Sequence, residues 1–209
     1  ALGGITREAV RLIEKKALNQ LSEALIGGIN ASRSYVVDPT IILCVHEIRE
    51  TVASHASGFG TEFELIDLII GADSDGPSFD LPSLHLLFEL LGFEPIKELP
   101  AGIPDLWKVD PDFSEQRLRK ALNKIDVLLT SDYLPPLDEI ELFSKLNKAM
   151  GRSDNLAANE LRRYLELFNF IEITPEGAYQ TKLECIRSRP GQVERILEEA
   201  GELLQIREI

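Results

Sequence analysis

Two stretches of the chain place apolar residues at i, i+4, i+7 and i+11, which is the spacing of one buried face of an α-helix. The apolar positions of the two stretches are Ile41, Val45, Ile48 and Val52, and Leu118, Leu122, Ile125 and Leu129. Asp38-Pro39 favours a helix start, because the carboxylate can accept from free N–H groups and proline needs no N–H. Ser114 can cap the second helix in the same way. The pattern therefore predicts two amphipathic helices with defined N-termini.

Each of these helices is followed by two further helices with one apolar face. The core positions of the second helices are Phe63, Leu65, Ile66 and Ile69, and Ile140, Leu142, Phe143 and Leu146. The core positions of the third helices are Leu84, Leu87, Phe88 and Leu91, and Leu161, Tyr164, Leu165 and Phe168. Asp80 is the expected N-cap of the earlier third helix. Gly92 and Asn169 follow the third helices, and both residue types favour the left-handed turn that ends a helix.

Each stretch then predicts a β-hairpin. The first strands cover residues 95–98 and 171–174, and the return strands carry Leu106, Trp107 and Val109, or Tyr179 and Thr181. The segments Pro-Ala-Gly and Pro-Glu-Gly between the strands are typical of turns. Shifted by 77 positions, residues 38–102 align with residues 115–179 without a gap and with 12 identities. We interpret the two stretches as copies of one module, of which the first has extra residues before its return strand.

Three helices followed by a β-hairpin resemble the winged-helix family, present here as a tandem repeat. The resemblance rests on the order and spacing of the elements and covers residues 38–183. It implies a mainly α fold with small β-hairpins (α+β), in which residues 38–112 and 113–189 are two winged-helix repeats. Residues 1–37 are expected to form an N-terminal amphipathic helix and a connector, and residues 190–209 a C-terminal helix. The alternative is an α-rich protein in which the repetition arose by chance.

The two terminal helices each carry an apolar stripe that must be buried. The stripes are Val10, Ile13, Ala17, Leu21 and Ala24, and Val193, Leu197, Ala200 and Leu204. These helices can pack on their own domain, or they can exchange with a second subunit, as in many winged-helix proteins. The second arrangement predicts a homodimer or partner interface. Its candidate residues are Val10, Ile13, Leu21, Val193, Leu197 and Leu204.

The net charge of −13 over 209 residues argues against broad coating of nucleic acid or of an anionic membrane. Residues 1–112 contain 8 Lys/Arg and 18 Asp/Glu, whereas residues 113–189 contain 12 of each kind, so the second half can still present a basic face. No apolar run approaches the roughly 20 residues of a membrane span, and the N-terminal sequence has no signal-peptide pattern. Cys44 and Cys185 are too few and too distant for a disulfide framework or a zinc set. These features predict a cytoplasmic protein without a membrane partner.

The sequence does not point to catalysis, a metal or a cofactor. The histidines His46, His55 and His85 lack the spacing of metal ligands on one helix face. The acidic loop at residues 71–80 has its glycine at the wrong position for a calcium loop and no closing glutamate. No nucleophile-elbow, zinc-protease or phosphate-loop motif occurs. We therefore expect a protein that is not an enzyme and that needs no cofactor.

The third helix of the second repeat has a polar outward face, and in the winged-helix family this helix usually enters the major groove of DNA. The DNA-binding candidates are Lys145, Lys148, Arg152, Ser153, Asn155, Asn159, Arg162 and Arg163. Asparagine and arginine suit base edges, whereas lysines and a helix N-terminus suit phosphates. The alternative is a solvated face on which Arg162 and Arg163 pair with Asn159, Glu160 and Glu166.

The matching face of the first repeat contains no lysine or arginine. Its residues are Ser78, Pro82, His85 and Glu89, with Leu86 in place of Arg163. We expect this face, with His85 and Leu86, to contact protein. The main hypothesis is a regulator, or a component of a DNA-associated complex, that binds DNA through the second repeat. The alternative is a protein–protein assembly module without nucleic-acid contact, which neutralisation of the basic face by glutamates would favour.

Overall fold

The computed structural model describes residues 6–27, 37–70, 80–151 and 156–200, apart from the side chains of 199 and 200. Within this part of the chain the protein is mostly helical, with small antiparallel sheets. The helices are α1 (Arg7–Ile26), α2 (Pro39–His55), α3 (Glu62–Ile70), α4 (Leu81–Leu90), α5 (Glu115–Thr130), α6 (Glu139–Met150), α7 (Ala158–Glu166) and α8 (Arg189–Ala200). The strands are β1 (Phe59–Thr61), β2 (Glu94–Ile96), β3 (Leu106–Lys108), β4 (Ile171–Ile173) and β5 (Tyr179–Thr181). The predicted combination of helices and small hairpins is confirmed.

The chain forms two compact units. Unit 1 comprises Ala1–Lys97 and Asp105–Phe113, and unit 2 comprises Glu98–Pro104 and Ser114–Ile209. Both units contain three helices followed by a hairpin. The starts of α3 and α6, of α4 and α7, and of β2 and β4 are each 77 positions apart, whereas β3 and β5 start 73 positions apart. The spacing seen in the sequence is therefore also the spacing of the elements, and the extra residues precede the return strand of unit 1.

Unit 1 contains a three-stranded antiparallel sheet in the order β1-β3-β2. Gly60 and Pro95 both face Trp107 of the central strand. The proline lies in the middle of an outer strand, where its missing N–H breaks no ladder bond. Trp107 packs edge-on against Phe88 of α4, with ring centroids 5.0 Å apart. One buried hydrophobic cluster of this unit comprises Val52, Ala56, Leu65, Phe88, Leu91, Phe93, Trp107 and Val109.

Unit 2 contains the hairpin β4–β5. One further residue, Leu137, pairs with the hairpin as a third strand would. Leu137 donates its N–H to the Tyr179 carbonyl at 3.0 Å and accepts the Tyr179 N–H at 2.8 Å. Leu137 precedes α6 as β1 precedes α3. The predicted stripe of α5 is buried as expected, and the fully buried side chains of the unit include Leu118, Leu122, Ile125, Leu142, Leu146 and Leu161.

Three predicted helix caps are confirmed. The Asp38 carboxylate accepts the Thr40 N–H at 2.8 Å, and the Asp80 carboxylate accepts the Ser83 N–H at 3.1 Å. The Ser114 hydroxyl accepts the Arg117 N–H at 3.3 Å. Each contact satisfies one of the N–H groups that have no partner within the helix.

The prediction for Gly92 is confirmed, whereas that for Asn169 is wrong. Gly92 has φ +75°, but among the described residues the only non-glycine residue with a positive φ is Glu98. The last turn of α7 tightens instead, since Leu167 and Phe168 donate to carbonyls three residues earlier. The Asn169 N–H donates to the Gly102 carbonyl at 3.3 Å. No left-handed residue is therefore needed at this helix end.

Three of the predicted core positions are wrong. Ile41 is exposed and Ile42 is buried. The run Ile41-Ile42-Leu43 is continuously apolar, so its periodicity does not indicate which of these residues faces the core. Phe63 and Ile140 are 78% and 80% exposed. Both lie two residues before a fully buried leucine, and a two-residue step places a side chain on the far side of a helix.

The C-terminal helix α8 is attached to its own unit by a compact set of hydrogen bonds. The Ser188 hydroxyl donates to Asp132 Oδ1 at 2.7 Å and accepts the Gly191 N–H at 2.9 Å. The bond from Ser188, and then that from the Tyr133 N–H, lowers the pKa of Asp132. A Cβ on Gly191 would lie 2.6 Å from the Tyr133 backbone nitrogen. The first turn of α8 therefore approaches the turn after α5 more closely than a side chain would allow.

No helix in the described part of the chain is both long enough and apolar enough to span a membrane.

Candidate functional site

The main cation of the outward face of α7 is engaged by a carboxylate from another helix. Arg162 Nη2 donates to Glu139 Oε2 at 2.8 Å, and the Arg162 side chain remains 62% exposed. Glu139 is the first residue of α6, directly after its N-cap Asp138. This hydrogen bond, and then the charge of Glu139, raises the pKa of Arg162. Arg162 is therefore paired with Glu139 of α6 and is not an unpaired positive charge.

Unit 1 has the same arrangement at the matching positions. His85 Nε2 lies 3.4 Å from Glu62 Oε1. Glu62 and Glu139, like His85 and Arg162, are 77 positions apart, and both carboxylates begin the second helix of their unit. The His85 ring also packs on Trp107, with centroids 5.2 Å apart. In each unit a carboxylate at the start of the second helix thus lies beside a basic side chain of the third helix, but the pair makes a hydrogen bond in unit 2 only, since Glu62 Oε1 and His85 Nε2 are buried without a hydrogen-bond partner.

The partner of Arg162 differs from the one expected within α7. Glu160 accepts the Ala157 N–H at 2.8 Å and a hydrogen bond from Arg117 Nη2 at 3.1 Å. Its carboxylate thus supports the start of α7 and a link to α5. Glu166 is exposed and lies close enough to Arg162 to contribute to its raised pKa. The described part of the α7 face therefore carries no excess of positive charge.

The other described DNA-binding candidates differ in exposure. Lys145 and Lys148 are exposed on α6, and Asn159 is exposed near the start of α7. Arg163 is half-buried. Three further candidates, Arg152, Ser153 and Asn155, lie outside the described residues. The exposed lysines and the asparagine remain available for contact with an anion.

The predicted interface residues differ in exposure. Val10, Ile13 and Leu86 are exposed, and His85, Leu21, Val193 and Leu197 are half-buried. Leu204 lies outside the described residues. Eleven large apolar side chains are exposed in the described part of the chain, and eight of them belong to unit 1. The apolar surface is therefore concentrated in the unit that also carries the excess of acidic residues.

The prediction of core positions missed one feature that both units share. Phe63 and Ile140 occupy equivalent positions, are both exposed, and each directly follows the paired glutamate of its unit. Their spacing from Leu65 and Leu142 could have shown that they point outward. The two units therefore share an exposed apolar side chain at this position.

The described residues offer no centre for metal chemistry. No group of three or more His, Cys, Asp or Glu side chains in this part of the chain could hold a metal ion. Unit 1 has an open groove of about 1030 Å³ that is lined by α1 and by the end of α4 and β2, with five glutamates among its lining residues. Burial, and then the charge of Glu184, raises the pKa of the Cys185 thiol, which makes it a poorer nucleophile.

Comparison with known protein families, with curated proteins and with solved structures finds no match to this chain. The arrangement of its own side chains is therefore the basis for a functional proposal.

Proposed function

We propose that this protein is a non-enzymatic protein–protein interaction module, made of two winged-helix units, that acts within a larger assembly. The observation that carries the proposal is the pairing of Arg162 with Glu139, which neutralises the main cation of the outward face of α7. This pairing makes Arg162 less available for base edges or phosphates, which are the contacts an arginine makes on a helix that reads DNA. The resemblance of a fold to a DNA-binding family does not by itself supply that function.

The winged-helix assignment is supported by the topology of unit 1. Its helices α2, α3 and α4 are joined to a sheet in the order β1-β3-β2, in which β2 and β3 form the hairpin. Unit 2 repeats the order of elements, with Leu137 in the place of β1. This is the arrangement that the resemblance implies.

The paired apolar residues Phe63 and Ile140 support a protein partner. An exposed aromatic or large aliphatic side chain is a typical anchor of a protein interface, because its burial removes apolar area from water. Each directly follows in sequence a glutamate whose carboxylate lies within 3.4 Å of a basic side chain, so a polar residue adjoins the anchor. The acidic composition of the first half of the chain favours a partner with basic side chains at its contact.

DNA binding through unit 2 is the second candidate function. The exposed side chains Lys145, Lys148 and Asn159 favour it. These residues could contact phosphates without Arg162, but such contacts would give positioning and not sequence recognition.

The two functions can be separated by fluorescence anisotropy with a mixed-sequence duplex at about 50 mM and 200 mM salt. We expect no saturable binding by the wild-type protein at the lower salt. The variant Glu139→Gln releases Arg162 from its ion pair and tests whether the pairing suppresses DNA binding. Salt-sensitive binding by wild type that is lost in Lys145→Gln/Lys148→Gln would contradict the proposal and establish the second candidate.

The protein-interaction function is tested by quantitative affinity capture with Phe63→Ser and Ile140→Ser. Val127→Ser is the control, because Val127 is 53% exposed on α5, away from the paired glutamates. We expect partners of the wild-type protein to be depleted in the first two variants and retained in the control. Equal capture by all of them would rule out both the surface at Phe63 in unit 1 and the surface at Ile140 in unit 2. Circular dichroism checks that each variant is folded.

A further inference from the structure

The apolar stripe of α1 is buried at one end and exposed at the other. Ala24 and Leu25 are buried near the C-terminus of the helix, and Leu21 is half-buried. Val10, Ile13 and Ala17 continue the stripe toward the N-terminus at i, i+3 and i+7, and all three are exposed. The first half of α1 therefore presents an apolar line that its own unit does not cover.

Two opposite charges flank this line on one side. Arg7 and Glu14 are both exposed. They are seven residues apart, which is two helical turns, so they lie along the same edge of the stripe. On a stripe with an apolar repeat of 3.5 residues, this edge contacts the neighbouring helix of a coiled-coil pair. The charges can therefore decide how a second helix is oriented.

We propose that α1 pairs with α1 of a second copy of this chain, in an antiparallel arrangement about a two-fold axis. In the register that places Val10 across from Ile13 of the second copy, Arg7 lies beside Glu14 of that copy. By symmetry the same ion pair forms a second time. The chain is thus complementary to itself along this edge.

A parallel pair would not use these charges. The flanking residues that meet in a parallel pair are five positions apart, which would match Ala9 with Glu14 and Lys16 with Leu21. Neither match is an ion pair. Charge complementarity therefore favours the antiparallel arrangement.

The contact is short, so the association is weak. Three apolar residues in each copy give an interface at the small end of specific contacts, for which we expect a dissociation constant on the order of 10 µM. This inference goes beyond the proposed function, because it names a second copy as the partner of α1. It does not depend on the exposed side chains of Phe63 in unit 1 or Ile140 in unit 2.

Sedimentation velocity of the full chain over about 1–200 µM tests the pairing against this expected dissociation constant. We expect a concentration-dependent dimer for wild type and a monomer throughout for Ile13→Glu. Leu12→Glu is a matched control, because Leu12 and Ile13 are 61% and 60% exposed but only Ile13 lies on the stripe. A monomeric wild type, or an Ile13→Glu variant that dimerises as wild type does, would overturn the proposal.

A charge exchange tests the register. Arg7→Glu and Glu14→Arg should each weaken the dimer by about 5- to 10-fold at low salt, since each places like charges together twice. The double variant restores opposite charges and should dimerise like wild type. A double variant as weak as the single variants would overturn the antiparallel register. Helix content by circular dichroism accompanies each measurement.

Discussion

At the scale of single residues, burial and backbone geometry set properties that composition does not reveal. Tyr164 on α7 is buried in unit 2. Burial, and then the nearby charge of Glu160, raises the pKa of its hydroxyl to about 12, although Arg117 acts in the opposite direction. The folded protein therefore keeps this hydroxyl protonated at pH values where the unfolded chain releases the proton.

Replacing this tyrosine with phenylalanine should remove part of the alkaline sensitivity of the protein. Below pH 10 the hydroxyl is neutral in both states and contributes no pH dependence. Between about pH 10 and 12 only the unfolded state ionises, so the free energy of unfolding falls with pH. In urea unfolding, we expect this fall to be smaller in Tyr164→Phe by about 1–2 kcal/mol. Parallel curves for the two proteins from pH 9 to 12 would contradict the assignment.

Gly92 and Asn169 show where residue type alone misleads. A Cβ at Gly92 would lie 2.4 Å from Ile26 Cδ1 and 2.7 Å from Arg49 Nη1, and Arg49 donates to the Leu91 carbonyl. The left-handed glycine thus allows α1 and α2 to approach the end of α4. Asn169 occupies the matching position, but its N–H binds a carbonyl of the segment Glu98–Pro104. That tertiary contact, which the sequence did not indicate, replaces the left-handed turn.

At the scale of elements, the sequence predicted the features that depend only on residues close together in the chain. The N-caps at Asp38, Asp80 and Ser114 depend on one side chain and the next three residues, so they could be found without the fold. The bond between Arg162 and Glu139 could not, because the two residues belong to different helices. Charge patterns within one helix suggested Glu160 and Glu166 as partners. The packing of α6 against α7 brings a different carboxylate to the arginine.

The attachment of α8 depends on a glycine inside a helix. Alanine normally favours a helix over glycine by about 1 kcal/mol. At Gly191 we expect the opposite sign, because the new methyl group would overlap the Tyr133 backbone nitrogen and Asp132 Oδ1. Thermal unfolding of Gly191→Ala should show a loss of about 1–3 kcal/mol.

Glu194→Ala is the control for this substitution, since Glu194 is exposed on the same helix and its replacement should be nearly neutral. If Gly191→Ala were more stable than wild type, the close approach of α8 to the turn at Asp132 would be disproved.

At the scale of the whole molecule, we expect the repulsion between excess negative charges to outweigh the exposed ion pairs. The net charge is −13, while the ion pair between Arg119 and Glu98, like other exposed pairs, contributes at most about 1 kcal/mol. Raising sodium chloride from about 20 mM to 500 mM at pH 7.5 should screen the repulsion and raise the Tm by about 2–5 °C. Differential scanning calorimetry measures this shift.

The same titration at a pH close to the sequence pI of 4.7 provides the control. There the repulsion is small, and the salt-dependent shift in Tm should be small as well. A Tm that falls with salt at pH 7.5 would show that ion pairs contribute more to stability than repulsion costs.

The candidate site is the part of the molecule that sequence reasoning predicted least well. The sequence placed Arg162 and His85 at matching positions of the two repeats. It did not show that both would have a carboxylate partner at the matching position of the preceding helix. Phe63 and Ile140 were assigned to the core because apolar residues in an amphipathic helix are usually buried. Only the fold shows on which side of α3 and α6 the core lies.

Pro95 in the outer strand β2 has a consequence for solutions of the protein at high concentration. An exposed strand edge with free N–H and C=O groups is a template on which further chains can add and form fibrils. The strand Glu94–Ile96 has only three residues, and its middle residue lacks the donor that an incoming strand would need. The sheet of unit 1 is thus protected against amyloid-like extension on this side.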